Sequence, residues 1–177
     1  MSAIPLDELL ARIAAGETAF PLLVLESVAL LNARLRRLNL GGTQWLNVDA
    51  RGVDLSWSDL RNATLSRVDL RGAHLFKLRL DSGRLDRVEL SGANLCAASL
   101  EGASLSHSQL RASQLCESNL RRASLRGSVL QGANLANADL RGADLTDANL
   151  SETLLTGARL EGATVTRTNF DGARGRA

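Results

Sequence analysis

Leucine recurs at every fifth position through most of this chain, and the residue two positions before each leucine is small. The stretch GANLANADLRGADLTDANL, residues 132–150, shows both series: Leu135, Leu140, Leu145 and Leu150, preceded by Ala133, Ala138, Ala143 and Ala148. A helix repeats its apolar positions about every 3.6 residues, and a strand repeats them every second residue. A period of five fits neither element and predicts a short unit with two inward-facing side chains.

The same frame runs from Leu35 to Phe170 without an insertion. If i is the leucine position, i−2 is usually Ala, Val, Ser or Thr, the other positions are polar, and Gly is frequent at i+2. One unit is too short to bury a core, so successive units must stack. We predict a coil of four units, one on each side of a square, with coils about 4.8 Å apart. The i side chains then fill the axis, including Leu55, Leu75, Leu95, Leu105, Leu125 and Leu145.

The repeated run A-[DN]-L-x-x resembles the pentapeptide-repeat proteins, and the resemblance covers residues 33–172. It implies an all-β solenoid, a right-handed quadrilateral β-helix, which would have about seven coils here. Side chains twenty residues apart would then stack in columns on the four faces of a rod.

The N-terminal end of such a rod needs a cap, because a terminal coil exposes its apolar layer. Residues 1–16 are predicted to form a short N-terminal capping helix, with Leu9 and Ile13 on its apolar face and Gly16 as its stop. Residues 17–32 are either an irregular first coil or a second helix. The coil is favoured because three apolar residues continue the five-residue frame: Phe20, Leu25 and Leu30.

The C-terminal end has no comparable cap, since residues 173–177 are only a short tail after the layer of Val165 and Phe170. Either the tail folds over this layer or a second copy of the chain stacks on it about a two-fold axis. The resemblance favours the second arrangement, because several pentapeptide-repeat proteins dimerise through their C-terminal ends. We therefore expect a homodimer.

The composition limits the choice of partners and of location. The formal net charge is +2, which is near balance, so we expect no direct nucleic-acid binding and no membrane binding. The first residues lack the basic region of a signal peptide, and no apolar stretch is long enough to cross a membrane. Because only two cysteines are present, these features together favour a cytoplasmic protein.

The side chains that could perform chemistry are too far apart in the predicted coil. His74 and His107 fall on opposite faces, and neither adjoins a nucleophile. Cys96 and Cys116 fall on adjacent rungs of one column, where a reduced pair is favoured over a disulfide. A metal site would need two more ligands than this column supplies. We therefore predict no catalytic residue, no cofactor, no metal site and no enzymatic activity.

One column of carboxylates is a candidate for partner binding. Asp49, Asp69 and Glu89, which we call the acidic column, are predicted to stack on one face. Carboxylates about 5 Å apart repel unless neighbouring arginines or a cationic partner compensate them. The acidic column is therefore either a solvated Arg/Asp ladder or a docking strip for a basic protein surface. The opposite face is predicted to be positive and to hold Arg67, Arg87 and Arg126.

Two large apolar side chains are predicted to point outward in the middle of the rod. Trp57 and Phe76 fall on one face in neighbouring coils, with Lys77 beside them. Exposed aromatic side chains on a polar surface are candidate contact points for a partner. The alternative is that N-terminal residues pack over them.

The resemblance also implies a specific function. The Qnr-type quinolone-resistance proteins and related self-resistance proteins are rod-shaped dimers that mimic B-form DNA, bind DNA gyrase, a type II topoisomerase, and inhibit it or protect it from a poison. The acidic column would then replace phosphates, and the function would be antibiotic resistance or self-resistance. This chain departs from those proteins, since it has Leu rather than Phe at most i positions, a net charge of +2 and no large loop. The alternative is a generic protein–protein interaction scaffold with an unknown bacterial partner.

Overall fold

In the computed structural model, which describes residues 5–175, the chain winds into a β-helix with twenty residues in each coil. Residues at i−1 form parallel bridges to residues twenty positions later, from Ala19–Asn39 to Leu154–Arg174. On one face these bridges lengthen into four strands: β1 (Val24–Glu26), β2 (Gln44–Leu46), β3 (Thr64–Ser66) and β4 (Arg84–Asp86). They form one parallel sheet in the order β1-β2-β3-β4, in a register that stacks Leu25, Trp45, Leu65 and Leu85.

Each unit turns the chain at the same place, its i+2 residue. Every i+2 residue from Leu22 to Gly172 has a positive φ. A side chain in this left-handed conformation costs about 1–2 kcal/mol, which explains why glycine is frequent there. Gly127 has a second reason to lack a side chain, because a Cβ there would lie 2.6 Å from Nδ1 of His107 in the preceding coil.

The Asp or Asn at i−1 caps the turn that follows it. The N–H groups at i−1, i and i+2 donate to carbonyls of neighbouring coils, and the N–H at i−2 donates to the preceding i carbonyl of its own coil. The N–H at i+1 is left for this side chain. Ser56, for example, donates to Oδ1 of Asp54 at 3.0 Å. Every Asp or Asn at i−1 accepts such a bond: Asn39, Asp49, Asp54, Asp59, Asp69, Asn94, Asn119, Asn134, Asp139, Asp144, Asn149 and Asn169.

The i side chains fill the axis of the rod. The structure leaves at most 1% of each of these exposed: Leu55, Leu75, Leu95, Leu105, Leu125 and Leu145. Trp45 is also 1% exposed, and its indole N–H donates to Oγ1 of Thr43 at 3.2 Å. Within residues 5–175, Ser108 Oγ is the one buried side-chain polar atom without a hydrogen-bond partner. The core is therefore apolar along its length, and Ser108 is the exception among its few buried polar side chains.

A helix, α1, spans Leu6–Ala14 and packs on the N-terminal layer of the core. Leu9 is 2% exposed, and Leu6 and Ile13 lie against the buried cluster. Gly16 ends the helix with a φ of 91°, and its N–H donates to the carbonyl of Ile13 at 2.9 Å. The first four residues of the predicted 1–16 segment lie outside the described residues.

The segment 17–32 is a coil of the β-helix in this structure. It contains β1 and the bridges that begin at Ala19 and Ala29. Its in-frame side chains are at most 4% exposed: Phe20, Leu25 and Leu30. The β-helix thus begins before the predicted boundary at residue 33 and continues beyond residue 172 to Arg174. Residues 176–177 of the predicted tail lie outside the described part of the chain.

The C-terminal layer is more open than the rest of the axis. Val165 is 38% exposed, and Leu160 and Phe170 are only partly buried. The corresponding residues one coil earlier, such as Leu145 and Leu150, have no exposed surface. The two ends of the rod therefore differ, because a helix packs on the first layer.

Replacing Leu105 with Asp tests this inward frame. The substitution places an unpaired carboxylate on the axis, which we expect to cost well over about 4 kcal/mol of the free energy of unfolding. Ser104→Asp is the matched control, because Ser104 is exposed and an aspartate, Asp144, occupies the same column. Thermal unfolding followed by circular dichroism should show a large loss for Leu105→Asp only. An unchanged melting curve for Leu105→Asp would contradict the frame.

Candidate functional site

The acidic column lies on one face, as rungs of a continuous ladder. Parallel bridges join Asp49 to Asp69 and Asp69 to Glu89. Arginines of the same units compensate two of these charges. Arg51 donates two hydrogen bonds to the carboxylate of Asp49, at 2.8 and 2.7 Å. Arg71 binds Asp69 in the same way, with contacts at 2.9 and 2.5 Å.

These contacts hold both carboxylates in their charged form. Hydrogen bonds from the Arg51 side chain lower the pKa of Asp49. Partial burial raises the pKa of Asp69, but hydrogen bonds from Arg71 outweigh this effect and lower it overall. The acidic column is therefore built as an Arg/Asp ladder, in which a guanidinium covers each of the two aspartates.

The structure corrects the predicted position of Arg67. We expected Arg67 on the face opposite the acidic column, but it lies on the neighbouring face. Together with Asp49, Arg51, Asp69 and Arg71 it lines an open depression of about 420 Å³. This surface is mixed in charge rather than acidic. The prediction was also wrong for Arg87 and Arg126, which lie on the same face as Arg67. The units of all three residues come directly before units of the acidic face along the chain, so the two faces are neighbours.

The same Asp-x-Arg pairing occurs on the opposite face of the rod. Arg61 binds Asp59 with contacts at 2.9 and 2.6 Å, and Arg141 binds Asp139 at 2.8 and 2.5 Å. Hydrogen bonds from the Arg141 side chain lower the pKa of Asp139 to about 2. Because these pairs recur on two faces, they are a structural device of the repeat and do not by themselves mark a site.

Trp57 and Phe76 form an aromatic pair at the surface. Their ring centroids are 5.8 Å apart and their planes meet at 75°, an edge-to-face arrangement. Lys77 places its Nζ 4.3 Å from the centre of the Trp57 ring. Trp57 remains 46% exposed, so no described N-terminal residue buries it.

Sequence reasoning placed Lys77 beside this pair but missed the arginines next to it. Arg37 precedes Trp57 by twenty residues and Lys77 follows it by twenty, so the three occupy one i+2 column at successive coils. Their order follows from backbone hydrogen bonds, from Arg37 to the Ser56 carbonyl and from Trp57 to the Phe76 carbonyl. We call this surface the Trp57 patch: Arg34, Arg36, Arg37, Trp57, Phe76 and Lys77. Counting in steps of twenty from Trp57 would have found it.

Cys96 and Cys116 form a disulfide between adjacent coils, which corrects the expected reduced pair. The coil-to-coil spacing brings their Cα atoms to 4.6 Å, so the pairing needs no distortion of the repeat. Sequence reasoning placed the two residues in one column. It favoured reduced thiols because the chain has only two cysteines, and it gave less weight to the short distance between adjacent coils. Because the two cysteines are bonded, they no longer favour a reducing compartment such as the cytoplasm.

The remaining reactive residues do not come together. His74 and His107 lie in different columns, and no group of His, Cys, Asp and Glu within residues 5–175 is arranged to hold a metal ion. In the column beside the disulfide, the Asn134 amide donates to Gln114 at 3.1 Å, whereas Asn94 caps Cys96. No helix in the described part of the chain is long and apolar enough to cross a membrane.

Comparison with protein families agrees with this geometry. A model of pentapeptide repeats matches the chain in eight copies, in overlapping segments that together run from residue 30 to residue 174. The chain therefore belongs to the pentapeptide-repeat family. Members of this family are generally structural or binding proteins rather than enzymes. No curated protein matches the chain.

Comparison with solved structures found the same kind of fold in QnrB1 and similarity to other proteins. A trypsin-treated form of QnrB1, a plasmid-mediated fluoroquinolone resistance protein, is 18% identical, with 90% of this chain and 84% of that chain covered and a TM-score of 0.70. HetL from the cyanobacterium Nostoc sp. strain PCC 7120, which is involved in regulating heterocyst differentiation, is 29% identical over 96% of both chains, with a TM-score of 0.40. A protein of the Arabidopsis thaliana thylakoid lumen is 38% identical over 49% of this chain and 61% of its own, with a TM-score of 0.48.

Substitutions of Asp139 separate the two roles of an Asp-x-Arg unit. Asn at this position keeps the acceptor for the Arg141 N–H and loses the charge, whereas Ala loses both. Because folding lowers the pKa of Asp139 from 3.8 to about 2, the charge stabilises the fold above pH 3.8 and stops doing so as the pH falls towards 2.

We therefore expect Asp139→Asn to unfold at a lower temperature than the wild type at neutral pH, with a difference that disappears near pH 2. Asp139→Ala should be less stable than Asp139→Asn at every pH. Melting temperatures across this pH range provide the measurement. A difference between wild type and Asp139→Asn that did not change with pH would show that the ion pair is not its source.

Proposed function

We propose that this chain is a non-enzymatic, rod-shaped binding protein whose partner is DNA gyrase or a related type II topoisomerase, which it protects from a poison. The observation that carries the binding role is the fixed surface of the rod. Caps at i−1, ion pairs and bridges between coils hold outward side chains in ordered columns, over a core with little exposed surface along most of its length. Such a surface suits recognition of a large partner.

The fold shared with QnrB1, a fluoroquinolone resistance protein, supports the choice of gyrase as the partner. The proposed mechanism is competition with DNA, or remodelling, at the DNA-binding surface of gyrase, with the acidic column in place of phosphates. Arg51 and Arg71 would have to swing away from Asp49 and Asp69 on binding. Both guanidinium groups are about half exposed, so such a movement would meet little packing resistance. The proposal also requires a cytoplasmic protein, because gyrase acts on DNA there.

A generic interaction scaffold is the second candidate function. The observation that favours it is the compensation of the acidic column, since paired carboxylates imitate a phosphate backbone less well than free ones. Under this alternative the partner would be another bacterial protein.

A gyrase assay with charge-neutralised variants tests the first proposal. Supercoiling and DNA cleavage are measured with and without a gyrase poison while the purified protein is titrated. We expect protection by the wild type and loss of protection in Asp49→Asn/Asp69→Asn/Glu89→Gln. Asn keeps the turn caps that Arg would destroy, so this variant should fold as the wild type does.

The control variant neutralises the opposite face, with Asp59→Asn/Asp139→Asn/Glu161→Gln. It also changes two Asp-x-Arg pairs and one glutamate, and it should protect as the wild type does. Inhibition without protection would indicate a DNA-mimic inhibitor. No effect of the wild type in either assay would refute gyrase as the partner and leave the scaffold. Equal loss in both variants would refute the role of the acidic column.

We further propose that two copies stack through their C-terminal layers to form a homodimer. The support is the partial exposure of Leu160, Val165 and Phe170, in contrast to the N-terminal layer beneath α1. Sedimentation should show a dimer for the wild type and a monomer for Val165→Asp/Phe170→Asp. Leu22→Asp/Leu31→Asp changes two exposed leucines near the other end and should remain dimeric. A monomeric wild type, or dissociation of both variants, would overturn this arrangement.

A further inference from the structure

The Trp57 patch presents an aromatic side chain that its neighbours hold in place. The edge-to-face contact with the Phe76 ring and the Lys77 ammonium over the indole restrict the rotation of Trp57. The ring is nevertheless 46% exposed, the largest exposed aromatic surface among the residues that the structure describes. An exposed and immobilised tryptophan loses little conformational freedom when a partner packs on it.

The patch also carries an excess of positive charge. Arg36 lies 3.4 Å from Asp54 and is compensated. Within residues 5–175, no carboxylate lies within salt-bridge distance of the three other cations: Arg34, Arg37 and Lys77. Two acidic residues lie beyond the patch at steps of twenty residues, and one of them, Glu17, is already paired with Arg12 at 2.6 Å. The other is Glu117, two coils beyond Lys77.

We propose that the Trp57 patch docks an acidic, extended segment of a partner protein. An apolar side chain of that segment packs on Trp57 and Phe76, and its carboxylates bind Arg34, Arg37 and Lys77. The inference rests on the proposed function of a binding protein, but it concerns a different face from the acidic column and does not require gyrase.

The geometry favours a protein segment over single-stranded nucleic acid. Proteins that bind single strands use several aromatic platforms along a cationic groove. The patch has one exposed indole at a corner of the coil, and Lys77 already covers one of its faces. It extends over three coils, about 10 Å at a spacing of about 4.8 Å, which suits a few residues of an extended chain. Tryptophan and arginine are also the residues on which protein interfaces concentrate binding energy.

A fluorescein-labelled synthetic peptide of alternating glutamate and leucine is the probe for this surface. Anisotropy is measured with the full chain, and the same peptide with glutamine at every glutamate tests the need for charge. An oligothymidylate of equal charge tests nucleic acid. We expect saturable binding of the glutamate peptide, at least about tenfold weaker binding of the glutamine peptide, and no saturable binding of the oligonucleotide.

Two pairs of variants locate the site. Arg37→Ser and Arg87→Ser remove exposed arginines from i+2 positions on opposite faces, with φ of 57° and 51°. Only Arg37→Ser should weaken peptide binding, by about tenfold. Trp57→Ala should abolish binding, while Leu31→Ala removes a comparably exposed apolar side chain elsewhere and should not affect it.

Several results would overturn the proposal: no binding of the glutamate peptide, equal binding of the glutamine peptide, preference for the oligonucleotide, or equal loss in Arg37→Ser and Arg87→Ser. None of them depends on the outcome of the gyrase assay. A failure of the gyrase assay would in turn leave this inference standing, because the acidic column and the Trp57 patch share no residue.

Discussion

The register of twenty residues between coils is the constraint on which the rest of this structure depends. It is set by two interactions that must agree, the hydrogen bonds between parallel backbones and the stacking of the i side chains. A shift by one residue would break the bridges and would also turn leucines outward and polar residues inward. Since both interactions repeat at every coil, the register of one coil is carried to the next, and the surface columns follow from it.

The polar positions serve this register before they serve any partner. An Asp or Asn at i−1 satisfies the one N–H of each turn that backbone carbonyls leave free. Where Arg follows at i+1, the same carboxylate also forms an ion pair, as in Asp139 and Arg141. Much of the charge on this rod is therefore paired for structural reasons. Functional surfaces are better sought where the pairing fails, as it does around Arg37 and Trp57.

The two candidate surfaces differ in this respect. In the acidic column, Arg51 and Arg71 already occupy the carboxylates that a cationic partner would bind. In the Trp57 patch, the cations surround an exposed aromatic ring with little compensation. A binding protein of this family can use both, because a rod with four faces presents separate surfaces to separate partners.

The sequence by itself determined the inward frame, because a strict period of five marks every buried position, and its resemblance to the pentapeptide repeats predicted the β-helix and its columns. It also indicated α1 and the end of that helix at Gly16, since local propensity decides both. Only the tertiary structure decided which side chains make contact between successive coils and across a corner. It placed Arg67 beside Asp49, bonded Cys96 to Cys116, and set Lys77 over Trp57. These contacts depend on distances across coils and corners, which a linear period does not contain.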